Sequence, residues 1–332
     1  MNILVTGSSG LIGSAISPLL EKNGHVIRRL DILPPPSENK AKFFKVEDIT
    51  DITARQNAVK KVDGVIHLAA VSRVLDAEQD PSRCIDINVK GTMDLLHDLA
   101  ELDSPPWFIY GSSREVYGYA SNMPVCEEHP LKPVNIYGES KAAAEYLVRN
   151  YARCTKSPAV ILRFSNVYGS VHDHATRVIP AFVRASITGS AITINGEDHT
   201  FDFTHVDDVA GAISAAVNHI ENGRMDGIET INVVSGQGTT LGQLASLVRS
   251  VSGKDIPFIK GKPRDFDVDN FIGDPSHLKN LLGVCCKIPL QDGVERLIND
   301  FITFALNPEN AWKISKNPDW LITTATMQEA SL

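Results

Sequence analysis

Asn2-Ile3-Leu4-Val5-Thr6-Gly7-Ser8-Ser9-Gly10-Leu11-Ile12-Gly13 decides the fold of this chain. Its first five residues read as a buried strand that runs straight into Gly7, Gly10 and Gly13, and a helix follows. Glycines at these places permit a tight turn and let the backbone approach a pyrophosphate, which then sits on the amides and positive end of that helix. An ordinary glycine-rich turn requires nothing further downstream. Here His25-Val26-Ile27-Arg28-Arg29-Leu30 reads as a second strand ended by Asp31, about 20 residues past the glycines, where a carboxylate grips a ribose diol. Asp31 also argues for NAD as the cofactor, because it repels a 2′-phosphate and Ile32-Leu33-Pro34-Pro35-Pro36 offers no cation to receive one.

Working outward, 332 residues of which 43% are apolar can bury a large core. Alternating strand and helix patterns fit an α/β fold, a doubly wound parallel sheet of Rossmann type covered on both faces. Further strands are expected at 42–46, 64–68, 107–110 and 159–162. From about Asn166 the pattern changes, and Gly189, Gly196, Gly223, Gly227, Gly236 and Gly238 break up shorter elements. No internal repeat is present, and residues 321–332 carry no clear periodicity and read as a disordered tail.

A net charge of −8 without a basic cluster argues against nucleic acid as a partner. No apolar run approaches the roughly 18 residues that span a membrane. Met1 abuts the first core strand and leaves no room for a signal peptide, so the expected location is cytoplasmic. Five cysteines without CxxC spacing fit that compartment, and Cys285-Cys286 reads as packing. His172 and His174 flank Asp173, but alternate loop residues make a poor chelate, and no metal is expected.

The chemistry points to Tyr137-Gly138-Glu139-Ser140-Lys141. A tyrosine and a lysine four residues apart stand on one helical face and form an acid-base pair. A free tyrosine titrates near pH 10, so a base working at neutral pH needs about 4 kcal/mol of selective support for the phenolate. The ammonium of Lys141 and a cationic nicotinamide ring are two sources of it. On many solvated helices the same spacing means nothing, and its weight comes from its company.

That company resembles a known family, the extended short-chain dehydrogenase/reductases, and within it the nucleotide-sugar epimerases and dehydratases. The resemblance covers nearly the whole chain. It rests on the glycine motif, Asp48-Ile49, His67-Leu68-Ala69-Ala70, Asn88-Val89-Lys90-Gly91-Thr92, Ser112-Ser113-Arg114-Glu115-Val116-Tyr117-Gly118, the Tyr137/Lys141 pair, Leu162-Arg163-Phe164-Ser165-Asn166-Val167-Tyr168-Gly169 and Val206-Asp207-Asp208-Val209. It implies an NAD-binding domain over 1–165, with segments near 203–235 returning to it, and a smaller substrate-binding lobe over 166–320. The active site is then the cleft between them. It also implies NAD contacts from Gly7, Gly10, Leu11, Ile12, Gly13, Asp31, Asp48, Ile49, Leu68, Ala69, Ala70, Asn88, Tyr137, Lys141 and Ser165. Ser113, 24 residues before Tyr137, matches the family's catalytic Ser/Thr. The substrate, a nucleotide-diphosphate sugar, is expected to meet Ser113, Asn166, Arg177 and Arg264. Family members are usually homodimers, here through the helices around 84–101 and 138–153.

The mechanism the resemblance implies is transient oxidation of a sugar hydroxyl, with Tyr137 taking the proton and the ketone then reduced or rearranged. Glu115 stands where several 4,6-dehydratases and decarboxylases carry an acid, and it is read as a catalytic candidate or as an ion-pair partner of Arg114. Arginine at 114 counts against the dehydratases that use adjacent Asp and Glu, since it donates no proton usefully at neutral pH. A 4-epimerase is therefore the leading expectation and a 4,6-dehydratase the alternative, with a ketoreductase and a non-catalytic NAD sensor behind them. One departure stands out: Phe201 precedes Asp202-Phe203 where the family usually places an arginine for the diphosphate; Arg177 is the candidate replacement, and the alternative is a solvated Arg177 with Phe201 stacking on a base or marking a substrate without the usual diphosphate.

Overall fold

Ile3, Leu4 and Val5 have no exposed surface, and consecutive side chains go to opposite cores: Ile3 and Val5 to one, Leu4 to the other. Such a double-faced strand belongs at the centre of a parallel sheet. In the computed structural model, which describes residues 1–34, 44–263 and 266–306, that is where it lies. The expected tail at 321–332 and the substrate candidate Arg264 fall outside the described residues.

The strands in chain order are β1 (Asn2–Thr6), β2 (Val26–Asp31), β3 (Phe44–Val46), β4 (Gly64–His67), β5 (Trp107–Ser113), β6 (Ala159–Phe164), β7 (Asn166–Tyr168), β8 (Ile192–Asn195), β9 (Thr200–His205), β10 (Ile228–Val233), β11 (Gly238–Thr240) and β12 (Phe258–Gly261). The helices are α1 (Leu11–Lys22), α2 (Ile52–Ala58), α3 (Val74–Gln79), α4 (Pro81–Ile85), α5 (Thr92–Ala100), α6 (Ile136–Thr155), α7 (Val178–Thr188), α8 (Val206–Glu221), α9 (Leu241–Ser252), α10 (Ser276–Leu282) and α11 (Leu290–Leu306). A π-helical turn, Asp86–Gly91, joins α4 to α5.

Seven strands form one parallel sheet in the order β10-β6-β5-β4-β1-β2-β3. Chain direction across the sheet reverses between β1 and β4, and open α/β sheets bind ligands outside the carboxyl ends of the strands at such a point. Helices α1, α8 and α10 cover one face. The other face is covered by α2, α5 and α6, with Leu95, Leu96, Leu99, Val148 and Tyr151 packed on Leu4, Phe108 and Ile161. Trp107 and Ile109 face one core while Phe108 and Tyr110 face the other, so β5 repeats the alternation of β1. The fold class is that expected.

A second body is built around α7, α9 and α11, whose apolar stripes close over β8 and β9. It carries a three-stranded sheet, β11-β9-β7, and the pair β12-β8. The chain passes between the two bodies more than once: α8 packs on α1, β10 extends the large sheet beside β6, and α10 lies against α8 and β10. Apolar patterning follows destination, since Val209, Ile213 and Val217 of α8 are buried at helical spacing against the large sheet. Among the described residues no helix is long and apolar enough to cross a membrane.

Candidate active site

The carboxyl ends of β1, β2, β4, β5 and β6 open into a cleft of about 790 Å³ that continues onto the wall of the second body. At its floor Gly7 has φ +68°, and a Cβ there would lie 2.6 Å from the backbone of Leu68 and Ala69. Gly13 is equally constrained, because its Cβ would come within 2.1 Å of the Gly7 carbonyl and push α1 off the loop. At Gly10 a Cβ would meet only the Gly7 oxygen, at 3.4 Å, so the room beside it belongs to the cleft. No side chain caps α1, and Ser8 Oγ is buried with no partner among the described residues. An uncapped helix N-terminus behind a glycine cradle takes an anion. These residues fit the pyrophosphate of NAD.

Asp31 lies at the end of β2 and lines the cleft, with Leu11, Ile12, Asp48, Ile49, Leu68, Ala69 and Ala70. Its Oδ2 accepts from Ser9 N–H at 2.9 Å and its Oδ1 from Leu33 N–H at 2.9 Å. Burial pushes the carboxyl above its ordinary range and the two amides work against that. The carboxylate thus ties β2 to the glycine loop, with lone pairs left for a ribose diol. Asp48 accepts from the amide and hydroxyl of Thr50, both at 2.9 Å. Asn88 behaves differently. It is buried behind the cleft wall, accepting from Val71 N–H at 2.8 Å and donating to Val71 O and Ser140 Oγ at 3.1 and 2.9 Å. Its polar atoms brace the loop after β4 against α6.

Tyr137 and Lys141 both reach the cleft from the first turns of α6. The helix starts there for local reasons: Asn135 caps it, accepting from Gly138 N–H at 2.8 Å, and Glu78 accepts from Ile136 N–H at 2.9 Å. Gly138 lets the helix press on the loop after β5, since a Cβ would lie 2.6 Å from the Glu115 carbonyl. That contact sets the Ser113 hydroxyl beside Tyr137, where it favours the phenolate. Burial pushes the Tyr137 hydroxyl up to about 12, while the positive charge of Arg177 and the Ser113 hydroxyl pull it back. Lys141 donates to the Gly111 carbonyl at 2.8 Å, with its Nζ 4.9 and 5.9 Å from the rings of Tyr110 and Tyr137. Burial draws its ammonium down to about 8. Arg177 thus adds a positive charge that favours the phenolate, beside the one the sequence suggested for Lys141.

Glu115 is at the cleft but engaged on both oxygens: Oε1 pairs with Arg114 Nη2 at 2.8 Å and Oε2 accepts from Asn135 Nδ2 at 2.9 Å. Arg114 also donates from Nε to Asn166 Oδ1 at 2.8 Å, which brings two expected site positions together. Ser165 Oγ bonds Thr204 Oγ1 at 2.6 Å at the cleft wall. Arg177 donates to the carbonyl of Ser72 at 3.0 Å and lies 3.3 Å from Asp173. The guanidinium against Phe201 is that of Arg114, 4.9 Å from the ring centre. Among the described residues no cluster of three or more His, Cys, Asp or Glu could hold a metal ion.

The profile of the NAD dependent epimerase/dehydratase family matches residues 3–233. The chain belongs to this family. A relative from Methanocaldococcus jannaschii is 32% identical over 305 residues, covering 90% of this chain and 97% of its own. UDP-glucose 4-epimerase of Thermotoga maritima, solved with UDP-glucose, superposes with a TM-score of 0.84 at 28% identity, covering 92% of this chain and 100% of its own. UDP-glucose 4-epimerase of Thermus thermophilus, solved with NAD, gives 0.82 at 27% identity, covering 90% and 98%.

As a member of the NAD-dependent epimerase/dehydratase family, the protein uses NAD. Its cleft wall also contains residues that the sequence did not single out. Ser72 and Asp173 hold Arg177 in place, and Asp173 Oδ2 is buried with no partner among the described residues. Asp173 was visible only as the centre of His172-Asp173-His174, which reads as a failed metal site. Its contact with Arg177 spans four residues but is made through the turn ahead of α7, so helical periodicity gave no signal for it.

Proposed function

We infer that this protein is an NAD-dependent nucleotide-sugar 4-epimerase that works through a transient 4-keto sugar. The observation that carries the reading is the convergence of Ser113, Tyr137 and Lys141 at one end of a cleft whose other end is the glycine cradle. Relatives named UDP-glucose 4-epimerase, matched along almost their full length, support it. NAD, held along the cradle of Gly7, Gly10 and Gly13 with Asp31 at its ribose, would supply a reversible hydride acceptor and a positive charge near the phenol.

In this assignment Tyr137 removes the proton from the 4-hydroxyl and gives it back after the ketone has turned its other face. Positioned proton transfer of this kind contributes about 10²–10⁴-fold. Ser113, beside the Tyr137 hydroxyl, orients that proton and shares the sugar oxygen. Lys141, tethered to Gly111, fixes the helix turn that carries the phenol and keeps a cation beside it. Glu115 favours epimerisation over 4,6-elimination. Elimination needs a base beside the new ketone, and both Glu115 oxygens are held by Arg114 and Asn135. We read Glu115 as a positioning residue.

The chain is further proposed to act as a homodimer in the cytoplasm. Ile85, Met93 and Tyr146, exposed by 43%, 46% and 65%, lie on α4, α5 and α6, the helices where pairing was expected. All five cysteines are unpaired, which suits a reducing compartment. The test of function is incubation in deuterated water with UDP-, dTDP-, GDP- and CDP-sugars, read by NMR. Inversion at carbon 4 without solvent deuterium is expected. Loss of water with deuterium uptake would replace the epimerase with a dehydratase.

A further inference from the structure

Arg114 is a buried, heavily constrained cation in the cleft wall. Its Nε donates to Asn166, its Nη2 pairs with Glu115, and its guanidinium carbon lies 4.9 and 5.6 Å from the ring centres of Phe201 and Phe271. Its Nη1 is buried and has no hydrogen-bond partner among the described residues. A charged N–H shut away from water without an acceptor is costly, and native structures rarely leave one without a reason. The side chain lines the cleft one residue after Ser113. The rings exclude water from the faces of the guanidinium, and the two side-chain partners hold its plane, so one edge remains to be filled.

The geometry points to Arg114 as a substrate-binding residue whose free edge takes an oxyanion of the nucleotide sugar. This rests on the nucleotide-sugar reading above. A dry, oriented guanidinium matches phosphate and carboxylate oxygens better than any neutral acceptor. Glu115 supplies the counter-charge, so the pair gives direction without a large net field. Two parts of such a substrate carry oxyanions, the diphosphate and, in a uronic acid, the sugar carboxylate. Phe201 serves in this arrangement as the floor on which the guanidinium lies, so its apolar ring and Arg114 form one unit drawn from opposite sides of the cleft.

The test is calorimetric binding of UDP, UDP-glucose and UDP-glucuronate to the NAD-loaded protein and to the double variant Arg114→Met, Glu115→Gln, which removes both charges and strands neither. Loss of a charged hydrogen bond sets the expected weakening at roughly tenfold or more. Weakening of all three ligands assigns the diphosphate. Weakening of UDP-glucuronate alone assigns the carboxylate. Equal weakening of the two sugars with UDP unchanged would assign a sugar hydroxyl and overturn the oxyanion, as would unchanged affinity for all three. Arg114→Lys, which keeps a charge opposite Glu115 but loses the fork, is read in the same way should the double variant not fold. NAD affinity reports an intact fold. If the parent binds none of the three, the nucleotide-sugar reading itself fails and takes the proposal with it; parent binding that the variants leave untouched removes the proposal alone.

Discussion

Gly138→Ala separates stability from catalysis in this site. The new Cβ would stand 2.6 Å from the carbonyl oxygen of Glu115 and 3.0 Å from Pro133 Cβ. The first neighbour is backbone and cannot swing aside, so α6 and the loop after β5 must part by roughly half an ångström. Overpacking of this kind costs about 1–3 kcal/mol. Replacing a helical glycine by alanine returns about 1 kcal/mol. Net stability therefore falls by at most about 2 kcal/mol, within reach of ordinary thermal melts. Catalysis has no such compensation, since the contact that gives way, Gly138 against the Glu115 carbonyl, is the one that sets Tyr137 beside Ser113. A misplacement of an ångström costs about 10²-fold in a positioned reaction, and half of that predicts about tenfold. The assay is kcat for epimerisation at saturating substrate, beside Tm and NAD affinity. A folded variant with kcat within twofold of the parent would refute the role given to this contact.

Tyr137→Phe removes only the proton-transferring hydroxyl, so turnover should fall by at least about 10²-fold while NAD titration is nearly unchanged; activity within tenfold would sink the assignment. Asp31 predicts tighter binding of NAD than of NADP, and equal affinities in a fluorescence titration would remove that argument. His67 is fully buried between Thr6 Oγ1 and Thr92 Oγ1, and burial draws it from 6.5 down to about 3. Between those values the unfolded chain binds a proton that the native state does not, so stability drops as pH falls below 6.5, by about 2 kcal/mol from pH 7.5 to 5. His67→Gln should lose that part of the acid sensitivity in urea unfolding, and an unchanged difference between the two pH values would count against it.

What could be read from the sequence was local. The strand, glycine loop and helix of 2–22 lie within one unit, as do Asp31 at the end of β2 and the Tyr137/Lys141 pair on one face of α6. Periodicity and turn chemistry carry those features. The state of Glu115 and Arg114 depends on Asn135, Asn166 and Phe201, which meet them only after β5, β6 and β9 have been assembled. No spacing rule announces such a meeting. Asn88 is a related case: its hold on the loop at Val71 and on Ser140 of α6 comes from packing that no spacing rule announces. Arg177 is of the same kind, because it meets Asp173 through the turn ahead of α7 and holds Ser72, 105 residues away, and neither contact follows from periodicity.

The central claim is that oxidation at carbon 4 is transient and that the hydride goes back to the carbon it left. UDP-glucose carrying deuterium at carbon 4 tests it directly, with the product followed by NMR in ordinary water. The account predicts inverted sugar that retains the label at carbon 4 throughout the approach to equilibrium. Label lost to solvent, or found at another carbon with a water eliminated, would contradict it.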